Sequence, residues 1–398
     1  MWKTMKLDDI ASLSLGKTPS RSNPKFWDKE KNSKNIWLSI ADLSTSNQLY
    51  IEDSKEYVSD EGAKLFKEVP AETLIMSFKL SIGKLAITKC ALRTNEAIIA
   101  MPIKDEKLIS KEYLYYFLSS MNWDVLAGKD IKVKGKTLNK AKLKELPILV
   151  PPLAEQERIV AKLDAAFAEI DKAVAVTTKN IETIEVLFQN CLNKNFQNSE
   201  FKYIELDKVC NIIGGGTPSK KNKSFYNGEV PWATVRDMKN DYIINTQFKI
   251  TNDAIKKSST NIVPSGNIVI ATRVGLGKTC IISDDTAINQ DLKGIIPKNK
   301  ELVDTDFLFF WFKAISKIII NAGTGATVQG VKLPFIKSLK IPDIDISLQR
   351  QIASNTRFIS EQNELLTSIY NKKLNHLTRL KSSFLKQALI GKLRSEAV

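Results

Sequence analysis

The chain has 398 residues, 43% hydrophobic and 26% charged, with 59 lysines and arginines against 44 aspartates and glutamates, a formal net charge of +15. That length exceeds what one ordinary core supports, so two or three domains are expected, and the basic balance favours a polyanionic partner, nucleic acid first, through long-range attraction and counterion release. The cysteines Cys90, Cys191, Cys210 and Cys280 lie far apart and His376 is the only histidine, which argues against a structural metal and for a reducing cytoplasm.

The N-terminal MWKTMKLDDIASLSLG has no apolar signal core, and KIIIN is too short to cross a bilayer, so neither export nor membrane insertion is expected. From Leu7 the chain reads LDDIASLSLGKTPSRSNPKFW, followed by IWLSIADL. Short β-rich runs (TLIMSF, KLAIT, AIIAMPI) then alternate with turns and one amphipathic helix, KEYLYYFLSSM, a pattern for a mixed α/β domain with a curved sheet. Tyr113, Tyr116 and Phe117 sit at helical spacing and are expected in its core. The tract GKDIKVKGKTLNKAKLK, Gly128 to Lys144, carries seven lysines.

After Pro151 and Pro152 neither glycine nor proline occurs from Leu153 to about Asn195. Val160, Leu163, Phe167, Ile170, Val174, Thr177, Ile181, Ile184, Phe188 and Cys191 recur there at steps of three and four, a seam of coiled-coil quality.

The second half repeats the first. LDKVCNIIGGGTPSKKNKSFY from Leu206 matches the Leu7 segment without a gap at an offset of about 199 residues, and the offset drifts to about 193 where Gln156 meets Gln349. Between those points Trp37 pairs with Trp232, Asp42 with Asp237, SFKLSIGKLAIT with ATRVGLGKTCII, Asn95 with Asn289, and YLYYFL with FLFFWF, whose Phe307, Phe310 and Trp311 are again expected in the core. A second helix is expected from Leu348 to about Leu393, its stripe drawn through Ile352, Ile359, Leu366, Ile369 and Leu380, then through Leu377, Phe384 and Ala388 after a change of phase. His376 falls on that stripe as a polar residue fixing register. The fold expected is two similar α/β domains, 1–152 and 199–346, separated by a long antiparallel coiled coil built from helices 153–198 and 347–398.

A duplicated basic unit opening with GKTPSR and GGTPSK, the segment LPILVPPLAEQERIVAKLD leading into a long helix, and a C-terminal LKQALIGKL together resemble the specificity subunit of type I restriction-modification systems. The resemblance covers essentially the whole chain. It implies a non-catalytic subunit without a cofactor, whose two target recognition domains each read half of a bipartite double-stranded DNA sequence. It further implies that the paired helices space the half-sites and dock two methyltransferase subunits, to which restriction-translocase subunits are added. Leu153, Gln156, Leu348 and Gln349, at the helix heads, are the partner-binding positions it suggests. IPDIDISLQRQ in the second repeat lacks the Pro-Pro-Leu of the first. Because the repeats share frames but differ between them, a non-palindromic target is expected.

Phosphate contacts come from lysine, arginine, hydroxyls and amides, and base discrimination needs arginine, lysine, asparagine or glutamine on base edges. The two opening loops supply Lys17, Thr18, Ser20, Arg21 and Lys25, and Thr217, Ser219, Lys220, Lys221 and Lys223. Lys132, Lys134 and Lys136 join them from the lysine tract, and Arg236 and Arg273 are the candidates for bidentate guanine contacts. Lys84 and Lys278 sit in a Gly-Lys turn that either faces phosphates or simply closes a hairpin.

Enzymatic readings fail on spacing. A phosphate loop ending at Gly277-Lys278-Thr279 needs a glycine where Thr272 stands, and the repeat replaces Thr279 with Leu85. VPPL has Val150 and Leu153 where an amino-methyltransferase would, by family resemblance, place Asn or Asp and an aromatic residue, and no lysine follows Pro342, Asp343 and Asp345 at nuclease spacing. A protein-interaction scaffold on a coiled-coil rod is the alternative, and it leaves the lysine excess without a purpose.

Overall fold

The computed structural model describes residues 2–45, 49–79, 81–127, 131–132, 135–136, 139–325 and 330–389. The chain divides into two compact units, Met1–Val176 with Lys373–Val398, and Thr177–Lys372. Four of its helices matter to the site: α1 (Lys111–Ser119), α2 (Leu153–Phe196), α3 (Thr305–Ala314) and α4 (Ile346–Leu389).

In the first unit, five strands lie in the order Ser14–Leu15, Ile98–Met101, Leu74–Ser77, Leu85–Thr88, Tyr50–Ile51. All pairings are antiparallel except the last. The sheet is covered on both faces, so its central strands read as unbroken apolar runs rather than alternating ones. Leu74, Met76, Ile87 and Ile99 pack on α1 and the start of α2 through Tyr113, Leu114, Phe117 and Leu163. Ile75, Ala86, Ile98 and Ala100 face a smaller sheet through Ile36, Leu38 and Leu92. That sheet runs Trp27–Asp28, Glu56–Val58, Ile36–Leu38, Arg93–Thr94. Lys3–Lys6 pairs antiparallel with Pro147–Val150, so the unit's first and last strands clasp just before α2.

The second unit repeats this plan. Its large sheet runs Cys210–Gly214, Leu292–Pro297, Ile268–Ala271, Thr279–Ile282, Tyr242–Ile243, and its small sheet Phe248–Ile250, Val230–Ala233, Thr286–Ile288, Ile262–Val263. Tyr203–Glu205 clasps Lys340–Pro342. Asp304 caps α3, whose Phe307 through Phe312 are all buried. The aromatic stripes of both units are therefore core, as expected.

Each long helix is seated by a buried amide. Gln156 Oε1 accepts from Ser110 N–H at 2.9 Å while its Nε2 donates to the carbonyls of Leu108 (2.9 Å) and Pro151 (2.8 Å). Gln349 does the same with Asp304 N–H (3.0 Å) and the carbonyls of Leu302 and Ile344 (both 2.9 Å). This corrects the expectation that both glutamines face a partner: their polar atoms are spent inside their own units, on backbone groups of the loop before α1 or α3 and on the carbonyl that leads into their own helix. Leu153 is half-buried and Leu348 exposed.

The stripe of α2 is as expected, with Leu163, Ile170, Thr177 and Phe188 buried. That of α4 is not. Its inward line begins Ala353, Thr356, Ser360, whereas Ile359, Leu366, Leu380 and Ile369 are between 38% and 49% exposed and His376 is exposed. Small and polar residues pack inward there because their hydrogen bonds close locally: Thr356 Oγ1 donates to Ile352 O at 2.7 Å and accepts from Asn195 Nδ2 at 3.2 Å. Beyond Leu377, Phe384 and Ala388 turn inward as expected.

The helices are fastened to their units by opposite chemistries. In the first unit Asp164 of α2 accepts from Tyr116 Oη, and Lys381 of α4 bonds Asp171 at 2.7 Å. In the second, Arg357 of α4, at the repeat position of Asp164, bonds Asp306 (2.6 Å) and Asp241 (3.2 Å) and lies 4.6 Å over Phe310.

Candidate nucleic-acid interface

Each opening loop leaves the large sheet through a glycine. A Cβ on Gly16 would stand 2.0 Å from the Thr94 carbonyl oxygen, and one on Gly215 2.0 Å from that of Asn289, so no other residue fits where the loop crosses the small sheet. The loop is then pinned by aromatic donors. Trp37 Nε1 donates to Lys17 O (3.1 Å) and Trp27 Nε1 to Ser20 O (3.1 Å); Trp232 Nε1 donates to Gly216 O (3.2 Å) and Tyr226 Oη to Pro218 O (2.7 Å). Asp42 and Asp237 fix the neighbouring turn, each accepting from a backbone N–H and hydroxyl three residues earlier, Ser39 or Thr234.

These pins sort the expected contacts. Thr18 Oγ1 donates to Glu96 and Thr217 Oγ1 to Gln290, so both hydroxyls hold the loop. Lys17, Ser20, Arg21 and Lys25 are exposed on the first loop, and Ser219, Lys220, Lys221 and Lys223 on the second. Arg21 is exposed but engaged: Nη2 bonds Glu56 Oε2 at 2.9 Å and the guanidinium lies 4.0 Å over Trp27. The hydrogen bond to Glu56 raises its pKa further above the ordinary arginine value. Arg273 sits 3.5 Å from Asp291, and Arg236 is exposed beside the Thr234 turn.

The second unit brings Thr217, Lys220 and Arg236 around one cleft of about 710 Å³, whose other lining residues include Tyr226, Trp232, Phe248, Gln290 and Asp291. Lys84 and Lys278 stand exposed beside Gly83 and Gly277, both at φ +84, whose amides donate to Ser77 O (2.8 Å) and Ala271 O (3.2 Å). The Gly-Lys turn thus closes a hairpin between antiparallel strands and opens no helix, unlike a phosphate loop. Lys132 and Lys136 lie on paired two-residue strands; Lys134 is outside the described residues. Among the described residues no acidic, histidine and cysteine cluster could hold a metal, and no helix is long and apolar enough to cross a membrane. Burial pushes the Cys210 and Cys280 thiols up to about 12, which leaves no activated nucleophile there.

Phe248 and the rim residue Gln290 were missed in the sequence. Phe248 is a lone aromatic in a polar strand, without a periodic signal, and only the sheet register sets it beside Trp232.

The family model for the type I restriction modification DNA specificity domain matches residues 1–185 and 198–376. The chain is 27% identical to the specificity subunit of the type I restriction enzyme EcoR124I/EcoR124II of Escherichia coli over 62% of each chain, so the match spans about three fifths of that relative. It is 25% identical to the putative MjaX specificity subunit of Methanocaldococcus jannaschii over 99% of this chain and 94% of that one. A solved chain from a type I R-M system superposes over 98% of both chains with a TM-score of 0.80 at 17% identity. The HsdS subunit of Thermoanaerobacter tengcongensis does so over 98% of this chain and 97% of that one, with a TM-score of 0.57 at 16% identity.

Proposed function

The chain belongs to the type I restriction-modification DNA specificity family, and from that premise we propose that it is the non-catalytic DNA-reading subunit of such a complex. Each unit reads one half of a bipartite, non-palindromic target, and the two long helices act as spacer and docking platform. The observation that carries the reading is the recurrence, in one chain, of the same glycine-framed loop pinned over an aromatic-cored small sheet and edged with exposed lysines. Such loops supply phosphate contacts uniformly and base contacts individually. The loop sequences differ, as two different half-sites require.

Docking of two methyltransferase copies is supported by the exposed apolar residues of the helices. Val176 and Leu187 on α2 stand at the repeat positions of Ile369 and Leu380 on α4, and all four are exposed. Equivalent apolar positions on both helices suit two copies of one partner, through which restriction subunits are recruited.

Co-production with the neighbouring methyltransferase, followed by methylation mapping of genomic DNA, tests the reading. The expected result is one methylated motif in two unequal parts with an unspecified gap. A continuous or perfectly palindromic motif, or the same methylation without this chain, overturns it.

A further inference from the structure

The two units present the same aromatic wall in two different states. In the first, the Arg21 guanidinium covers Trp27 at 4.0 Å and Trp37 at 4.9 Å, and Glu56 holds it there. The ungapped loops place Lys220 at the position of Arg21 and Tyr226 at that of Trp27. The sheet register places Phe248 at that of Glu56, since Trp37 pairs with Glu56 and Trp232 with Phe248. Tyr226 and Trp232 keep the edge-to-face contact of Trp27 and Trp37, at 6.0 Å against 5.0 Å. Among the described residues no cation covers them, and the cleft of about 710 Å³ opens over that wall.

We propose that this cleft receives one nucleobase of the second half-site, swung out of the double helix, while the first unit's equivalent is plugged by its own Arg21–Glu56 pair. The inference rests on the DNA-reading role proposed above. In the first unit the wall already stacks a planar group, so its geometry suits one. Exchanging Glu56 for Phe248 removes the acid that holds Arg21 in the first unit and adds a ring 6.3 Å from Trp232, while the carboxylate that does line the cleft, Asp291, lies 3.5 Å from Arg273 and accepts from Asn289 Nδ2 at 3.1 Å. Stacked base pairs offer only their edges, so of the parts of a duplex a base that has left the stack is the one that can lie against the rings lining this cleft. Lys220 and Arg236 on the rim suit the accompanying phosphates and base edge, and neither side chain has a partner among the described residues.

The test uses the full chain and duplexes bearing its mapped target, with the partner of one base mismatched at each position in turn. A mismatch at the extruded nucleotide lowers the cost of extrusion, so binding should tighten several-fold at one position of the second half-site and at none of the first. The double variant Lys220→Arg, Phe248→Glu rebuilds the plug and should abolish that gain. Phe248→Ala, which removes one wall without adding charge, should abolish it too. Specific binding with no gain in the second half-site, a gain in both half-sites, or a gain that survives both variants overturns the inference. Failure of the unaltered chain to prefer its mapped target to random duplex overturns the DNA-reading role itself.

Discussion

Replacing Gln349 by leucine strands three backbone groups at once, the Asp304 N–H and the carbonyls of Leu302 and Ile344. At about 1–3 kcal/mol for each buried group left unpaired, the second unit should lose several kcal/mol, read as a lower calorimetric unfolding temperature. Gln156→Leu should do the same to the first unit. The two arginines of the loops should separate differently. Arg236→Ala is expected to cost about 1–3 kcal/mol against the preferred base at one position. Arg21→Ala removes a stack and a fork to Glu56, so it should weaken binding to every sequence alike, a contrast visible in competition with single-base variants of the target. The sequence marks both arginines as candidate DNA contacts. It does not show that one is consumed by an acid 35 residues downstream, nor that the glutamines turn inward to carbonyls more than 40 residues upstream, because such partners are chosen by the fold.

Helix α2 was legible as a seam because its apolar period and its burial coincide. On α4 they diverge: periodicity reveals which residues are apolar, and cannot say whether they face this chain or another one. Phe358, Leu365 and Ile369 stand exposed on it. Changing all three to serine should abolish co-purification of the methyltransferase while leaving the unfolding temperature of the isolated chain unchanged. The fastening of the helices should be equally one-sided. Arg357→Asp sets a third acid beside Asp241 and Asp306, both bonded to the arginine in the native unit. Loss of a mostly buried pair of this kind costs about 3–5 kcal/mol, measurable by denaturant unfolding. The duplication was readable from the repeated loops, whereas the strand order was not, since strands such as Tyr50–Ile51 and Tyr242–Ile243 are two residues long and find their neighbours only through parallel pairing with distant segments.

On the DNA-reading role proposed above, the excess of 15 positive charges sets affinity across the whole molecule and a small number of loop side chains sets choice. Alanine at Lys132, Lys134 and Lys136 together should lower affinity for all duplexes and flatten the slope of log K against log salt by about two to three, near 0.9 for each lost phosphate contact. Mapped specificity should not change. The exposed apolar row on α4 has a consequence outside DNA reading altogether. On the docking proposed above, a newly made copy displays it from the moment α4 forms until the methyltransferase covers it. Copies produced ahead of the methyltransferase supply are then the ones that chaperones retain and proteases clear. The cell's count of active reader molecules should follow the rate of partner synthesis, whatever the rate at which this chain is translated.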